Sequence, residues 1–404
     1  MKKTKKLVAL SVGLIMTASL FTGCSTDGIA LMNAFGKSQS INSMQSKTDI
    51  SIKVSGSKMS DQEEQMMNSI LPIINGTKVS ILTKTNQNKD KTIAKMQSDI
   101  SLKIPQMPES VDMSVWVDAD TTTEKPVINE MFSIPKLLSA QLPKELQGKE
   151  YMVMNLSDMP STPGMSQPDL EKVMSFSKEF QPKLLDFVSK YAKQFNPTTS
   201  YIKHVGSQRF FQNDKMQSAE TYELKLTDKS FKDLMHYTLN NLAENKDAIS
   251  FIKEYMVAVT SLYPVADTSD KTIQDEMKKA MDNLTTELPK QILALNKALD
   301  SIENLKILGE NGITINYTID NDGYIINEKG NAEFIIDLPS IIKLSGSVSS
   351  PSDPTGIYTI GINFNTDITN INEEVNVLMP KVNSTNSFNY FDIMKLSPQE
   401  LPIK

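Results

Sequence analysis

Cysteine occurs once in these 404 residues, at Cys24, so no intramolecular disulfide holds the fold and an apolar core must do so. Arginine also occurs once, at Arg209; the rest of the 42 basic residues are lysines. The chain therefore lacks the bidentate guanidinium clamps that commonly grip phosphate or carboxylate. Lysine and asparagine richness with so little arginine fits an AT-rich, low-GC Gram-positive genome. Histidine occurs twice, at His204 and His236, each inside an ordinary strand or helix pattern. No His-Glu-x-x-His, Cys-x-x-Cys, Gly-x-Ser-x-Gly or phosphate-loop sequence is present. Together these absences lead us to expect no enzyme, no metal site and no cofactor. No apolar run reaches the ~20 residues that span a bilayer.

The first residues are the most informative part of what is there. Lys2, Lys3, Lys5 and Lys6 precede an apolar-to-small run from Leu7 to Phe21, which ends in Thr22-Gly23-Cys24. A basic start, a short apolar stretch and a small-residue cut site read as a secretory signal, residues 1–23. Leu20-Phe21-Thr22-Gly23-Cys24 resembles the lipobox of bacterial lipoproteins, with Phe21 where that family usually has Leu. The resemblance implies that Cys24 becomes the mature N-terminus and carries a diacylglycerol thioether. The expected location is the outer face of the cell membrane, held by the lipid on Cys24, with residues 24–30 as tether. Loss of the four leader lysines takes the formal charge from −6 to −10. An acidic body argues against nucleic acid and is repelled by anionic head groups, so attachment falls to the lipid.

Past the tether, Leu31, Met32, Phe35 and Ile41 have loose helical spacing within Ala30–Ser46. Period-two alternation follows. Ile50, Ile52 and Val54 predict a half-buried strand, as do Val79–Thr83, Ala94–Ile104, Val111–Val117 and Tyr151–Leu156. Ser60-Asp61-Gln62-Glu63 is a capping box opening a helix that Gly76 should stop. The middle is helical: 169–195 with a bend at Pro182, a helix capped by Asp228, then 246–262 and 269–304. A strand pair at Tyr201–His204 and Tyr222–Leu226 interrupts it. The end is a strand meander: Ile313–Ile319, a turn at Asp320-Asn321-Asp322-Gly323, and Tyr324–Asn327. A turn at Lys329-Gly330-Asn331 then leads to Ala332–Leu338, Ile341–Ser349 and Ile357–Phe364. The tail from Leu378 carries Pro380, Pro398 and Pro402 and should be extended or loose.

Strands first, helices in the middle and strands last is an α+β order. It resembles the LolA/LolB/LppX class of lipoprotein carriers, and more closely a group of uncharacterised lipoproteins of clostridia and their relatives. The patterns that carry the likeness are Lys58-Met59-Ser60-Asp61-Gln62-Glu63, Leu71-Pro72-Ile73-Ile74-Asn75-Gly76, Trp116-Val117-Asp118-Ala119-Asp120, Gly148-Lys149-Glu150-Tyr151-Met152-Val153-Met154, and Ile371-Asn372 ahead of Pro380. The resemblance implies a strongly curved antiparallel half-barrel whose concave face is covered by helices, and a lipid or other hydrophobic ligand in an apolar cavity. The expected organisation is a single domain over 31–396, with a strand block 48–160, a helical middle 166–305, a meander 311–370 and a loose tail 397–404. A structural or regulatory envelope lipoprotein binding a protein partner is the first alternative. The solute-binding lipoprotein of an importer is a second, opposed by the strand order.

The remaining motifs carry little chemistry. Asp320-Asn321-Asp322-Gly323 has a calcium loop's glycine, but Lys329 stands where that loop needs a glutamate, so a hairpin turn is the better reading. Asp118-Ala119-Asp120 reads as a solvated strand end. Trp116, between Ser114 and Asp118 on its own strand face, is expected at the surface or under a cover. Methionine is abundant, 23 in all. Met66, Met67, Met131, Met152, Met154, Met174, Met235, Met256, Met277 and Met281 fall on expected helices or strand faces, where a pliable side chain suits core filling or the lining of a lipid cavity.

Overall fold

Where apolar and polar residues alternate, the chain forms strands, and where a capping residue precedes an amphipathic run it forms helices. The computed structural model describes residues 25–123, 126–156, 170–197, 199–212, 215–262, 283–344, 346, 350 and 353–393. Residues 1–23, expected to be a signal segment, and Cys24 lie outside the described residues, as do Met277, Met281, the stretch 263–282 and the tail 394–404. The fold is mixed α+β, built on twelve mostly antiparallel strands that do not close into a barrel.

The described chain falls into two compact units. The sheet unit (38–156 and 325–393) combines the opening strand block with the end of the chain. In chain order it contains β1 (Ser43–Ser57), α2 (Asp61–Gly76), β2 (Lys78–Gln87), β3 (Ile93–Lys103), β4 (Val111–Asp120), β5 (Val127–Ser133), α3 (Lys136–Ser139), β6 (Tyr151–Asn155), β10 (Ile325–Asp337), α8 (Leu338–Leu344), β11 (Ile357–Thr369), β12 (Ser387–Asn389) and α9 (Tyr390–Ile393). Its nine strands lie in the order β12-β6-β5-β4-β3-β2-β1-β11-β10, with only β12 and β6 parallel. The helical unit holds α1 (Thr26–Ser38), α4 (Leu170–Gln194), β7 (Ile202–Gln212), β8 (Lys215–Leu226), α5 (Asp228–Glu244), α6 (Lys246–Leu262), α7 (Leu284–Asp300) and β9 (Leu308–Asp320), with strands ordered β9-β8-β7. The stretch expected as one domain is thus shared between the units.

Each unit is held by its own contacts. In the helical unit an aromatic column joins α4 to α6: Phe187 stacks on Phe251 with ring centres 4.2 Å apart, and Phe180 meets Phe251 and Tyr255. Leu239, Leu242, Ile252, Met256, Leu288 and Ile292 are fully buried beside it. Lys232, also buried, gives its ammonium to Asp228 Oδ2 and to the carbonyls of Glu303 and Leu305 at 2.7–2.8 Å. Asp228 in turn accepts the backbone N–H groups of Ile307 and Leu308. In the sheet unit, the expected capping box is formed at the start of α2, where Ser60 and Glu63 bond reciprocally. Gly76 is the last residue of that helix, where Thr77 turns extended, and a Cβ at Gly76 would stand 2.2 Å from the Pro105 ring.

Three expectations need correction and one is narrowed. Lys329-Gly330-Asn331 is no turn: β10 runs straight through it, paired residue for residue with Asn365, Phe364 and Asn363 of β11. A break there would leave only Tyr324–Asn327 as a strand, too short to hold that register. Of the strand expected over Ile341–Ser349, the described part Ile341–Leu344 is helix: Asp337 Oδ1 caps the N–H of Ser340 and Pro339 sits in the first turn of α8. β5 has no counterpart among the expected strands, since Val-Ile-Asn-Glu-Met-Phe-Ser lacks clean alternation. Trp116 is buried, at 8% exposure, with Met131 of β5 directly opposite and the Tyr151 ring 6.0 Å away. Its covers come from neighbouring strands, which its own strand could not reveal.

Candidate functional site: an apolar sheet face

Strand register sorts the side chains of the sheet unit onto two faces. One face is polar: Lys47, Asp49 and Lys53 of β1 lie beside Asp367, Asn365 and Gly361 of β11. The other is apolar across almost its whole width. Ile50 pairs with Phe364 and Val79, Ile52 with Ile362, and Val54 with Ile360. Phe334 of β10 extends the row at Ile360, and Leu102, Ile100, Val111, Met113 and Val115 continue it through β3 and β4. Phe132 of β5 and Met152 of β6 complete it. At nine strands about 4.8 Å apart the face is of order 40 Å wide.

None of these residues is fully buried. All are half-buried except Ile52, which is exposed at 38%. A sheet face this apolar is ordinarily covered, and exposed apolar patches of more than a few hundred square ångströms mark binding surfaces. Toward one end of the strands the face turns hydroxylic: Thr48 meets Thr366 at 2.9 Å, and Thr83 meets Ser98 at 2.9 Å. Directly opposite Thr366 on β10 stands Glu328. Burial pushes the Glu328 carboxyl above its ordinary range.

The helices at one end of the strands repeat the pattern. On α2, Met66, Ile70 and Ile73 form an exposed stripe at helical spacing, with no apolar side chain of that helix buried. The helix is held by polar groups. Asn75 brackets the backbone of Val54, accepting its N–H and donating to its carbonyl. Glu63 accepts hydrogen bonds from Ser60, from the Thr355 hydroxyl and N–H, from Gly356 N–H and from the Tyr358 hydroxyl. Those donors, the Ser60 backbone and hydroxyl foremost, hold its carboxyl down at about 2.

The residues singled out in the sequence are dispersed. His204 on β7 lies 2.5 Å from Glu220 Oε2, and Ser207 donates to that same oxygen at 2.7 Å, so the serine meets the carboxylate and not the imidazole. That is not a nucleophile–base pair. His236 on α5 bonds Asn296 through Nδ1 at 2.7 Å, with Glu303 and Asp300 at 3.6 and 3.9 Å from Nε2. Among the described residues no group of three or more His, Cys, Asp or Glu is placed to hold a metal ion. Asp320 closes the 320–324 turn by accepting the N–H of Tyr324. Asp120 accepts from the Thr122 hydroxyl and N–H, which lower its pKa, and Asp118 faces Asn129 in register. Met131 and Met256 are core, Met152 and Met154 lie on the apolar face, Met67, Met174 and Met235 are half-buried, and Met66 is exposed. Glu328 was not singled out, although its strand parity with Ile326, Ala332 and Phe334 was there to be read. No helix among the described residues is long and apolar enough to cross a membrane. Comparison with protein-family models, with curated protein sequences and with solved structures finds no match to this chain.

Proposed function

We propose that this chain is a non-catalytic lipoprotein, anchored by Cys24 at the outer face of the cell membrane, that holds a hydrophobic or lipid-like ligand against the apolar face of its sheet unit. In this reading the fold is of the curved, LolA-like carrier kind, and the ligand takes the place of the missing cover. The observation that carries the reading is the continuous apolar face with no fully buried member. The test is native mass spectrometry with organic extraction of the chain produced without residues 1–24, together with uptake of a fluorescent long-chain probe with an uncharged head. Lipid co-purifying in a fixed ratio is the expected result. A clean ligand-free mass with no probe uptake would overturn it.

The exposed stripe Met66, Ile70 and Ile73 on α2 favours a second reading, in which an envelope protein docks on that helix. Replacing Met66 and Ile70 by Gln separates the two. Loss of lipid uptake would count against the partner reading, and unchanged uptake with loss of a co-purifying protein would support it.

A further inference from the structure

The apolar face has a charge asymmetry that composition does not predict. In a lysine-rich chain, no lysine or arginine of the nine strands falls on it. Lys47, Lys53, Lys78, Lys84, Lys95, Lys103 and Lys329 all alternate onto the opposite face. Among the described residues of the strands, the only side chains on the apolar face that can carry a charge near neutral pH are carboxyls, Glu328 on β10 and Glu130 on β5; the phenol of Tyr358 on β11 is the other ionisable group there. Glu328 stands between Ile326 and Gly330 on its own strand and across from Thr366, whose hydroxyl is shared with Thr48. No hydrogen bond or ion pair reaches it from another described residue, and burial disfavours its charge. Carboxylates drawn into apolar surroundings are otherwise paired.

We propose that Glu328 is the polar anchor of the ligand site, and that the ligand is a long-chain amphiphile with a cationic amine head. This rests on the apolar face being the ligand surface. The chain would lie along Ile50, Ile52, Phe364 and Ile362, and the ammonium would pair with Glu328 beside the Thr48–Thr366 hydroxyls. A phospholipid head fits poorly, because its phosphate would meet two carboxyls and no base on this face. A fatty acid fits poorly for the same reason. Pairing with an ammonium favours the charged form of Glu328 and offers a partner that no described residue supplies.

The test uses the full chain in its membrane with three photoreactive hexadecyl probes that differ only in head: ammonium, carboxylate and alcohol. Labelling is read by peptide mapping of β1, β10 and β11. The expected result is roughly ten-fold stronger labelling by the ammonium probe than by the carboxylate probe, the ratio one charge-assisted hydrogen bond sustains. Glu328→Gln should reduce ammonium labelling to the level of the alcohol probe, with circular dichroism and thermal melting showing that the variant is folded. Equal labelling of the parent by all three heads, or an ammonium preference that survives in Glu328→Gln, would overturn the anchor while leaving the apolar face as a ligand surface. Absence of labelling by every probe would overturn the ligand surface, and the anchor with it. Ile52→Asp, which charges the middle of the face, should lower labelling by all three probes alike.

Discussion

Replacing Lys232 by Met isolates one buried charge and gives a magnitude that the geometry fixes. The side chain is 6% exposed, and its three ammonium protons go to Asp228 Oδ2 and to the carbonyls of Glu303 and Leu305. Met keeps most of the methylene volume, so no large cavity opens. What is lost is a cation that neutralises Asp228 and ties the segment after α7 to the first turn of α5. Breaking a buried pair by removing one partner costs about 3–5 kcal/mol. Asp228 keeps two backbone donors, Ile307 and Leu308, so the lower figure of about 3 kcal/mol applies. For a unit of this size each kcal/mol moves the melting temperature by roughly 2–4 °C, which gives a fall of about 6–12 °C. The assay is thermal melting followed by circular dichroism, with hydrogen exchange read at Ile307 and Leu308. Burial alone would raise the Asp228 pKa, but the Leu308 and Ile307 N–H groups and Lys232 outweigh it and hold it down. Its contribution is therefore present above the ordinary Asp range and is lost as pH falls through its folded pKa, over a narrower span in the variant. A melting temperature within about 2 °C of the parent would refute the idea that this cluster carries the junction.

Three further outcomes follow from the same contacts. The Glu63 carboxyl is held at about 2 by its donors, so amide protection across Asp61–Gly76 should be complete above pH ~4.5 and decline toward pH ~2; Glu63→Gln, measured by hydrogen exchange, should lose that protection at every pH, and undiminished protection would sink the latch. Trp116 is the only tryptophan and is buried with its Nε1–H unpaired, so its fluorescence should be blue-shifted and resistant to iodide, and Trp116→Phe should be tolerated, since the donor it removes had no partner. Because burial raises the folded pKa of Glu328 above its unfolded value, its favourable contribution exists at low pH and is lost as pH rises through the folded pKa. Glu328→Gln should then raise the melting temperature at pH ~7.5 and leave it near the parent's at pH ~4; an equal shift at both would contradict the linkage.

The parts of the fold that could be read in advance are those set by local chemistry. Ser60 and Glu63 announce a helix start whatever surrounds them, and the alternation of Ile50, Ile52 and Val54 is a property of the strand itself. The misreadings all involve information held elsewhere in the chain. Lys329-Gly330-Asn331 has turn chemistry, yet the thirteen-residue β11 alongside provides hydrogen-bond partners through it. Trp116 sits among polar neighbours on its strand, but Met131 and Tyr151 arrive from β5 and β6. Pro339 after Asp337-Leu338 was a helix signal that the apolar run Ile341-Ile342 obscured. Glu328 was legible by parity alone, but a glutamate next to a lysine reads as a solvated strand edge until the register shows the two on opposite faces.

A large apolar face that stays half-exposed has a thermodynamic consequence. At about 25 cal/mol for each square ångström removed from water, covering it would stabilise the sheet unit considerably, yet the described residues leave it half-exposed and place there an acid that burial opposes. Both choices lower stability where a core would raise it, and sites that give up stability in this way are commonly the functional ones. A ligand that covers the face must then return stability to the unit it covers. An amine-headed amphiphile present at a hundred times its dissociation constant should contribute about 2.7 kcal/mol by mass action. Hydrogen exchange can locate that gain. Slowed exchange in β1, β10 and β11, with the α4–α6 amides unchanged, is the pattern that a ligand on this face requires. Equal slowing in both units would mean that the amphiphile acts on the chain as a whole, and the apolar face would lose its claim to be the site.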